Sequence, residues 1–204
     1  MKTICAAIVI LLGISSAAAQ DLGAGSLLVA TDELRDPRFT KTVILLLHFA
    51  DDGALGVAIN RPTQIDANES FPSMPFLGGY EGNVYFGGPL SPANLVTLLR
   101  IPDAGDRELR PIVDDIYVSA DPDLLDELVD TMANEQTLRV YAGHAGWDSG
   151  QLEVEISAGH WRIAPADAGI IFSADPLALW AELRAPETEL TVFQPDSGST
   201  IAAR

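Results

Sequence analysis

Cysteine is almost absent from this sequence. The chain of 204 residues has one cysteine, Cys5, which lies in an apolar N-terminal segment. The rest of the chain can therefore form no disulfide, no thiolate metal site and no cysteine nucleophile. This absence removes those mechanisms, but it does not identify a cellular compartment.

The signatures of several common sites are also missing. No Gly-x-Ser-x-Gly indicates a nucleophile elbow, and no Gly-x-Gly-x-x-Gly or Gly-Lys-Ser/Thr indicates phosphate binding. The three histidines, His48, His144 and His160, are not spaced as zinc ligands. We therefore predict no metal and no cofactor. His48 ends an apolar run, which favours a structural histidine over a functional base, whereas a glycine-rich loop makes His144 a candidate binding residue.

Basic residues are few. The chain has 12 Lys and Arg against 29 Asp and Glu, a formal net charge of -17. Because phosphate binding needs a dense basic surface, this balance argues against a nucleic-acid partner. A hydrophobic content of 48% argues equally against a disordered acidic chain. The arginines are scattered along the sequence, which favours a compositional origin over a shared binding site.

Residues 1–19 have the pattern of a secretory signal peptide. Lys2 supplies the positive charge, residues 4–14 are almost entirely apolar, and residues 15–19 are small. The apolar stretch is too short to span a bilayer of about 30 Å, so we expect cleavage after Ala19 and no membrane anchor. The mature chain would then start at Gln20 or Asp21 and be periplasmic. A cytoplasmic location is the alternative if this segment is not a functional signal.

Residues 42–60 predict a β-hairpin. A continuous β-branched and aliphatic run at 42–49 is followed by Asp51-Asp52-Gly53 and by an alternating run from Leu55. An Asp-Gly turn between two strand patterns is a strong local hairpin signal. Arg61-Pro62 ends the second strand, because proline has no backbone donor.

The next segment, residues 63–83, predicts a long loop whose apolar residues pack on the body or cover a cleft. Other segments are clearer. We predict strands at 25–30, 84–86, 112–119, 138–142 and 190–193, and helices beginning at Asp121-Pro122 and Asp175-Pro176. Residues 91–99 fit a helix or a strand, and residues 147–156 fit either as well. Strands and helices alternate, so residues 20–204 predict one α/β or α+β domain with a mixed, largely antiparallel sheet and flanking helices.

Two segments carry candidate binding residues. Gly87 and Gly88 could let backbone amides approach an anion, although a tight turn against a packed neighbour is the better interpretation. In the helical interpretation of residues 147–156, Gln151 and Glu155 lie on one face and Trp147 precedes the helix. That face could bind a partner or could tie the helix to its neighbouring loop.

Three segments together resemble the YqgE/AlgH family of small bacterial proteins. The first contains Asp36-Pro37-Arg38-Phe39 and the hairpin through Asn60-Arg61-Pro62. The second is Phe86-Gly87-Gly88-Pro89. The third spans residues 143–155 and is followed by Trp161. They occur in the family's order over roughly residues 25–172.

The resemblance implies one α/β domain, a strand at 95–99 and a helix within 147–156. It implies no catalytic residues, and the label of some members implies a transcriptional regulator. The leader and the long 63–83 segment depart from the family pattern. Export and acidity oppose a role on DNA.

We therefore hypothesise a non-enzymatic binding protein of the cell envelope, with an unknown protein or small-molecule partner. The alternatives are a cytoplasmic transcriptional regulator and a carboxylate- or cation-dependent hydrolase. The candidate binding residues share positions at element ends, where sites are commonly built. They are Asp36, Arg38, His48, Asn60, Arg61, Gly87, Gly88, His144, Trp147, Gln151 and Glu155.

Overall fold

The described residues build a ten-stranded, largely antiparallel sheet with short helices on its flanks. The computed structural model describes residues 22–107, 109–129, 132 and 134–184. The strands are β1 (Ser26–Ala30), β2 (Val43–Ala50), β3 (Gly53–Ala58), β4 (Pro62–Asp66), β5 (Asn83–Phe86), β6 (Leu90–Arg100), β7 (Arg110–Val113), β8 (Ile116–Ser119), β9 (Leu138–Asp148) and β10 (Trp161–Pro165). The helices are α1 (Ala67–Ser70), α2 (Pro122–Val129), α3 (Gln151–Ser157), α4 (Ala168–Ile171) and α5 (Leu179–Arg184), with 3-10 turns at Pro37–Phe39 and Pro75–Gly79. This is the single, mixed α/β domain that the sequence predicts.

The main path through the sheet runs β10-β1-β2-β3-β9-β6-β8-β7, so β9 lies between β3 and β6. β5 pairs with β4 and, in parallel, with β9. The sheet curls so that its edge strand β7 returns to β2, where Arg110 donates from Nη2 to the carbonyl of Leu47 at 2.6 Å. None of the helices in these residues has the length and apolar character needed to cross a membrane.

The predicted hairpin is confirmed as β2 and β3. Leu45 pairs with Val57, and Ala50 pairs with Gly53 at the turn. Gly53 has a φ of 128°, and a Cβ there would lie 2.3 Å from the carbonyl oxygen of Trp147. Only glycine therefore allows β3 to turn and still pair with β9 at this point.

The prediction of a structureless segment at 63–83 is wrong, although its packing on the body is confirmed. The segment contains most of β4, α1 and the second 3-10 turn. Ala67, Phe76, Leu77 and Tyr80 are buried together in a second hydrophobic core with α2. This apolar content orders the segment by burial against α2.

Two other predictions need correction. The single strand predicted at 112–119 is two strands, β7 and β8, because the chain turns at Asp114 with a φ of 48°. Aspartate adopts this left-handed conformation more readily than most residues. The loop predicted at 143–147, which contains His144, is part of β9, because that strand continues to Asp148 and pairs with β3 there.

The open alternatives are resolved. Residues 90–100 form strand β6, and α3 begins at Gln151 after a left-handed Gly150. The last predicted helix is confirmed only in part, since α5 begins at Leu179 and Asp175 instead caps the preceding turn through the amide of Ala178. The strand predicted at 190–193 and the leader lie outside the described residues.

Candidate functional site

A groove of about 370 Å³ lies where three distant segments meet. One wall is residues 34–39, which hold the first 3-10 turn. A second wall is Pro89 and Leu90, and the third is the end of β9 with α3. This volume is within the range of ligand-binding pockets, which is about 300–1,000 Å³. Five of the predicted site residues line the groove: Asp36, Arg38, Trp147, Gln151 and Glu155.

Glu155 joins α3 to the sheet below the groove. Its Oε2 accepts from the indole Nε1 of Trp147 at 3.0 Å and from that of Trp161 at 2.8 Å. Its Oε1 accepts from Nε2 of Gln151 at 2.9 Å. Both carboxylate oxygens are therefore bound by neutral donors, which makes Glu155 a positioning residue that fixes two indoles and one amide.

The indoles and Phe39 form a chain of edge-to-face contacts. Trp147 and Trp161 have ring centroids 6.1 Å apart at 80°, and Phe39 packs on Trp161 at 5.9 Å and 67°. Trp147 and Trp161 are buried, whereas Phe39 is half-buried. Edge-to-face pairs of this kind hold the 34–39 wall against β9 and α3.

The 34–39 wall contains one internally neutralised ion pair. Arg38 binds both carboxylate oxygens of Asp36, with Nη2 donating to Oδ2 at 2.7 Å. Asp36 also accepts from the backbone amide of Arg38 at 2.9 Å. The Arg38 guanidinium is the main reason why the pKa of the Asp36 carboxyl lies below its ordinary value. Within the groove this pair is ionised but close to neutral as a unit.

Arg35 is the cation of the groove that remains available to a ligand. Its side chain is exposed, and it has no ion-pair or hydrogen-bond partner among the residues that the structure describes. Leu90 lines the same groove and is 45% exposed. A guanidinium and an exposed apolar side chain in one groove are suited to a ligand with both an anionic and an apolar part.

Asn60 and Arg61 do not line the groove, but they anchor its wall. Asn60 donates to the carbonyl of Lys41 at 3.0 Å and accepts from the amide of Val43 at 2.9 Å. Arg61 donates from Nη2 to Thr42 Oγ1 at 2.7 Å, and burial lowers the pKa of its guanidinium. They fix the corner at Lys41, which has a φ of 55°. The sequence predicted these residues at the surface of the site, whereas in the structure they lie outside the groove lining and bind the segment that follows the 34–39 wall.

Gly87 and Gly88 let the chain cross β9. The Gly87 amide donates to the carbonyl of Ala142, and the Gly87 carbonyl accepts from Ala58. A Cβ at Gly88 would lie 2.2 Å from the carbonyl carbon of His144. This close approach is the tight packing that the sequence analysis favours for Gly87 and Gly88. It also places Leu90, two residues after Gly88, at the groove.

His48 and His144 lie away from the groove lining. His48 Nε2 is 2.8 Å from Asp52 Oδ1 at the exposed hairpin end, and this contact lowers the pKa of the Asp52 carboxyl. His144 is half-buried in β9 opposite Leu90. Among the described residues, no group of three or more His, Cys, Asp or Glu could hold a metal ion.

Several groove residues were missed from sequence. They are Leu34, Arg35, Phe39, Pro89, Leu90, Gly146 and His160. Each lies in, or within two residues of, a motif that the sequence analysis identifies. Its closeness to that motif in the sequence is the signal that could have found it. Local sequence patterns do not reveal the strand pairing that brings those motifs together in the fold.

A family model described as AlgH-like matches residues 27–186. The chain belongs to the AlgH-like family. A "UPF0301 protein" of Streptomyces avermitilis is 36% identical over 186 residues, covering 86% of this chain and 93% of that protein. A "UPF0301 protein" of Paracoccus denitrificans is 31% identical, covering 85% and 95%. These names state no activity.

Two solved structures have a similar fold. A crystal structure of a protein from Corynebacterium diphtheriae superimposes with a TM-score of 0.69 at 22% identity, covering 82% of this chain and 89% of that chain. The solution structure of AlgH from Pseudomonas aeruginosa has a TM-score of 0.63 at 25% identity, covering 86% and 95%. The resemblance to the YqgE/AlgH family that the three motifs indicate is confirmed, and the groove of this chain is the candidate site for its function.

Proposed function

We propose that this AlgH-like protein is a non-enzymatic binding protein of the bacterial cell envelope. The observation that carries the proposal is the groove, whose lining combines the Arg35 guanidinium, unpaired within the described part of the chain, and the half-exposed Leu90 with the aromatic Phe39 and Trp147. Such a combination of a few polar groups with apolar walls is typical of ligand sites. The partner is a protein or a small molecule.

The hydrogen bonding of the groove favours binding over chemistry. Glu155 is a carboxylate of the groove that could be considered as a general base. Its oxygens, however, already accept hydrogen bonds from Trp147, Trp161 and Gln151. Asp36 is bound on both oxygens by Arg38. These carboxylates stabilise the shape of the groove, and the exposed Arg35 and Leu90 are left to contact a ligand.

The envelope part of the proposal rests on the sequence. Residues 1–19 combine Lys2, an apolar stretch and small residues before Ala19 in the order that signal peptidase recognises. The acidity of the chain, with a net charge of -17, agrees with a role away from nucleic acid.

The binding test compares groove variants with matched controls. Affinity-tagged wild-type protein and the variants Arg35→Gln and Leu90→Ser are recovered from cells, and bound proteins and small molecules are quantified by mass spectrometry. Arg107→Gln and Leu177→Ser are the controls, because both side chains are exposed and neither lines the groove. We expect a ligand that both groove variants lose, by about tenfold or more, and both controls retain. Identical recovery by all five proteins would refute a binding role for the groove.

A further inference from the structure

We propose that the occupant of the groove is an extended peptide segment of a partner protein. It pairs with the free edge of β9 and places an acidic side chain on Arg35. This inference rests on the proposed function and names the chemistry of the ligand. Three observations support it. They are the strand register of β9 at the groove, the direction of the Asp148 backbone amide, and the positive charge of Arg35 in the 34–39 wall.

Among the residues that the structure describes, one edge of β9 has no strand beside it at the groove. β6 pairs with β9 only as far as Leu90 opposite His144, whereas β3 pairs with β9 from Ala145 to Asp148 on the other side. On the β6 side, the four residues from Ala145 to Asp148 therefore extend past their neighbour. At about 3.3 Å per residue, this edge accommodates roughly 13 Å of extended chain.

The backbone at this edge faces the groove. The amide of Asp148 donates to Oε1 of Gln151 at 3.1 Å, and Gln151 lines the groove. Alternate residues of an antiparallel strand present their N–H and C=O groups to the same side, so Gly146 faces the same way as Asp148. A peptide carbonyl that pairs with the Asp148 amide would replace the side-chain carbonyl of Gln151, which binds that amide in the structure. The edge is thus already used as a hydrogen-bonding surface.

Gly146 keeps the edge accessible. It is exposed, and a Cβ at this position would lie 3.0 Å from Cδ1 of Leu90. Leu90 therefore packs directly on Gly146, and it offers a chain added at this edge an apolar contact. Addition of a strand to an open edge, with side-chain pockets for specificity, is an established mode of peptide recognition.

The charges of the wall select the side chain of the peptide. The Arg38 guanidinium is bound to Asp36, so Arg35 supplies the unpaired positive charge of the groove among the described residues. A guanidinium binds a carboxylate through two parallel hydrogen bonds. An extended segment with one acidic residue among β-branched residues fits both the edge and Arg35.

The test uses the mature full chain and a defined peptide pool. The pool contains blocked octapeptides in which Val, Ile and Thr alternate with Ser, with a single Glu at varied positions. Two matched pools replace Glu by Gln or carry N-methyl groups on alternate backbone amides. Retention on immobilised protein is measured by mass spectrometry, and the Gly146 and Asp148 amides are followed in ¹⁵N NMR spectra.

We expect the Glu pool to bind wild-type protein and the Arg107→Gln control alike. Retention should fall at least about tenfold for Arg35→Gln, for the Gln pool and for the N-methylated pool, because each removes a charged or backbone hydrogen bond. The Gly146 and Asp148 amides should shift only with the Glu pool.

Equal retention of the N-methylated pool, or of the Gln pool, would overturn the inference. If no pool binds but the ligand found with the tagged protein still requires Arg35 and Leu90, the peptide inference falls and the binding function stands. If Arg35→Gln changes neither experiment and Leu90→Ser does not change what is recovered with the tagged protein, both proposals fall.

Discussion

At the scale of single residues, Glu155 shows how side chains hold the groove in shape. Its carboxylate receives three N–H donors from two indoles and one amide. Replacement by glutamine removes the charge and leaves at least one donor facing another N–H group.

We expect Glu155→Gln to lower the free energy of unfolding by about 1–3 kcal/mol, because hydrogen bonds to a charged group are lost. Glu153→Gln is the matched control, since Glu153 is exposed on the same helix and should change stability by less than about 0.5 kcal/mol. Urea unfolding followed by tryptophan fluorescence measures both. Equal stabilities for the two variants would show that the carboxylate does not hold α3 to the sheet.

For Tyr80 we expect substitution to change the free energy of unfolding in the opposite direction, and we expect this change to depend on pH. Its hydroxyl is buried without a hydrogen-bond partner in the described part of the chain, and this burial raises its pKa above 10.0. The folded form holds the proton of Tyr80 more tightly than the unfolded form does. The contribution of this group to the free energy of unfolding is therefore fully present below pH 10 and is lost as the pH rises above that value.

Tyr80→Phe should therefore be as stable as wild type near neutral pH, or more stable by up to about 1 kcal/mol, and should lose less stability above pH 10. Tyr85→Phe removes the hydrogen bond to Glu135 at 3.4 Å and should instead be neutral or slightly destabilising. Urea titrations at neutral and alkaline pH compare the three proteins. A marked destabilisation by Tyr80→Phe at neutral pH would show that its hydroxyl has a partner.

At the scale of elements, the crossing of the chain over β9 depends on close backbone packing. A Cβ at Gly88 would lie 2.2 Å from backbone atoms of His144, whereas a Cβ at Gly78 would have nothing within 4 Å. Backbone atoms of a central strand cannot move aside as a flexible side chain can.

We expect Gly88→Ala to destabilise the protein by about 3 kcal/mol or to prevent folding, because it overpacks the crossing. Gly78→Ala should be neutral or stabilising by about 0.4–1 kcal/mol, through the unfolded chain. Thermal unfolding followed by circular dichroism gives the comparison. A stable Gly88→Ala variant would contradict the position of the crossing.

Local patterns predicted some elements and missed others for a physical reason. The β2–β3 hairpin is readable because its turn, Asp52-Gly53, is adjacent to both of its strands. The groove is not readable, because Arg35, Leu90 and Gln151 meet only through pairings between strands far apart in sequence. The order in 63–83 was missed because it depends on burial against α2, which no local pattern states.

At the scale of the whole molecule, the structure changes the interpretation of the arginines. The structure describes ten basic residues, and they are scattered along the sequence. Six of them nevertheless lie within residues 31–42 or beside that segment in the fold: Arg35, Arg38, Lys41, Arg61, Arg162 and Arg184. Arg184 binds Asp32 at 2.6 Å, and Arg184 and Lys41 both stack on Trp180. Basic residues that are far apart in sequence therefore lie near one segment of the fold, and two of them, Arg35 and Arg38, line the groove.

Export is a prediction about the full chain. If residues 1–19 are a cleaved signal, the native protein should be recovered in the periplasmic fraction with an N-terminus near Gln20. Replacing Leu11 and Leu12 by Asp should keep the protein in the cytoplasm, because an apolar core is required. N-terminal sequencing of fractionated native protein measures this, and an intact Met1 in the cytoplasmic fraction would contradict it.

The most direct test of the central claim, that the groove binds a partner, is photo-crosslinking in living cells. A photoreactive amino acid replaces Leu90 in the groove wall or, as the control, Leu177 outside it, a leucine that is 72% exposed against 45% for Leu90. A discrete adduct at position 90 that is absent at position 177 and is lost when Arg35→Gln is added is the result that the groove predicts. The same adducts at both positions, or an adduct at 90 that does not depend on Arg35, would contradict it.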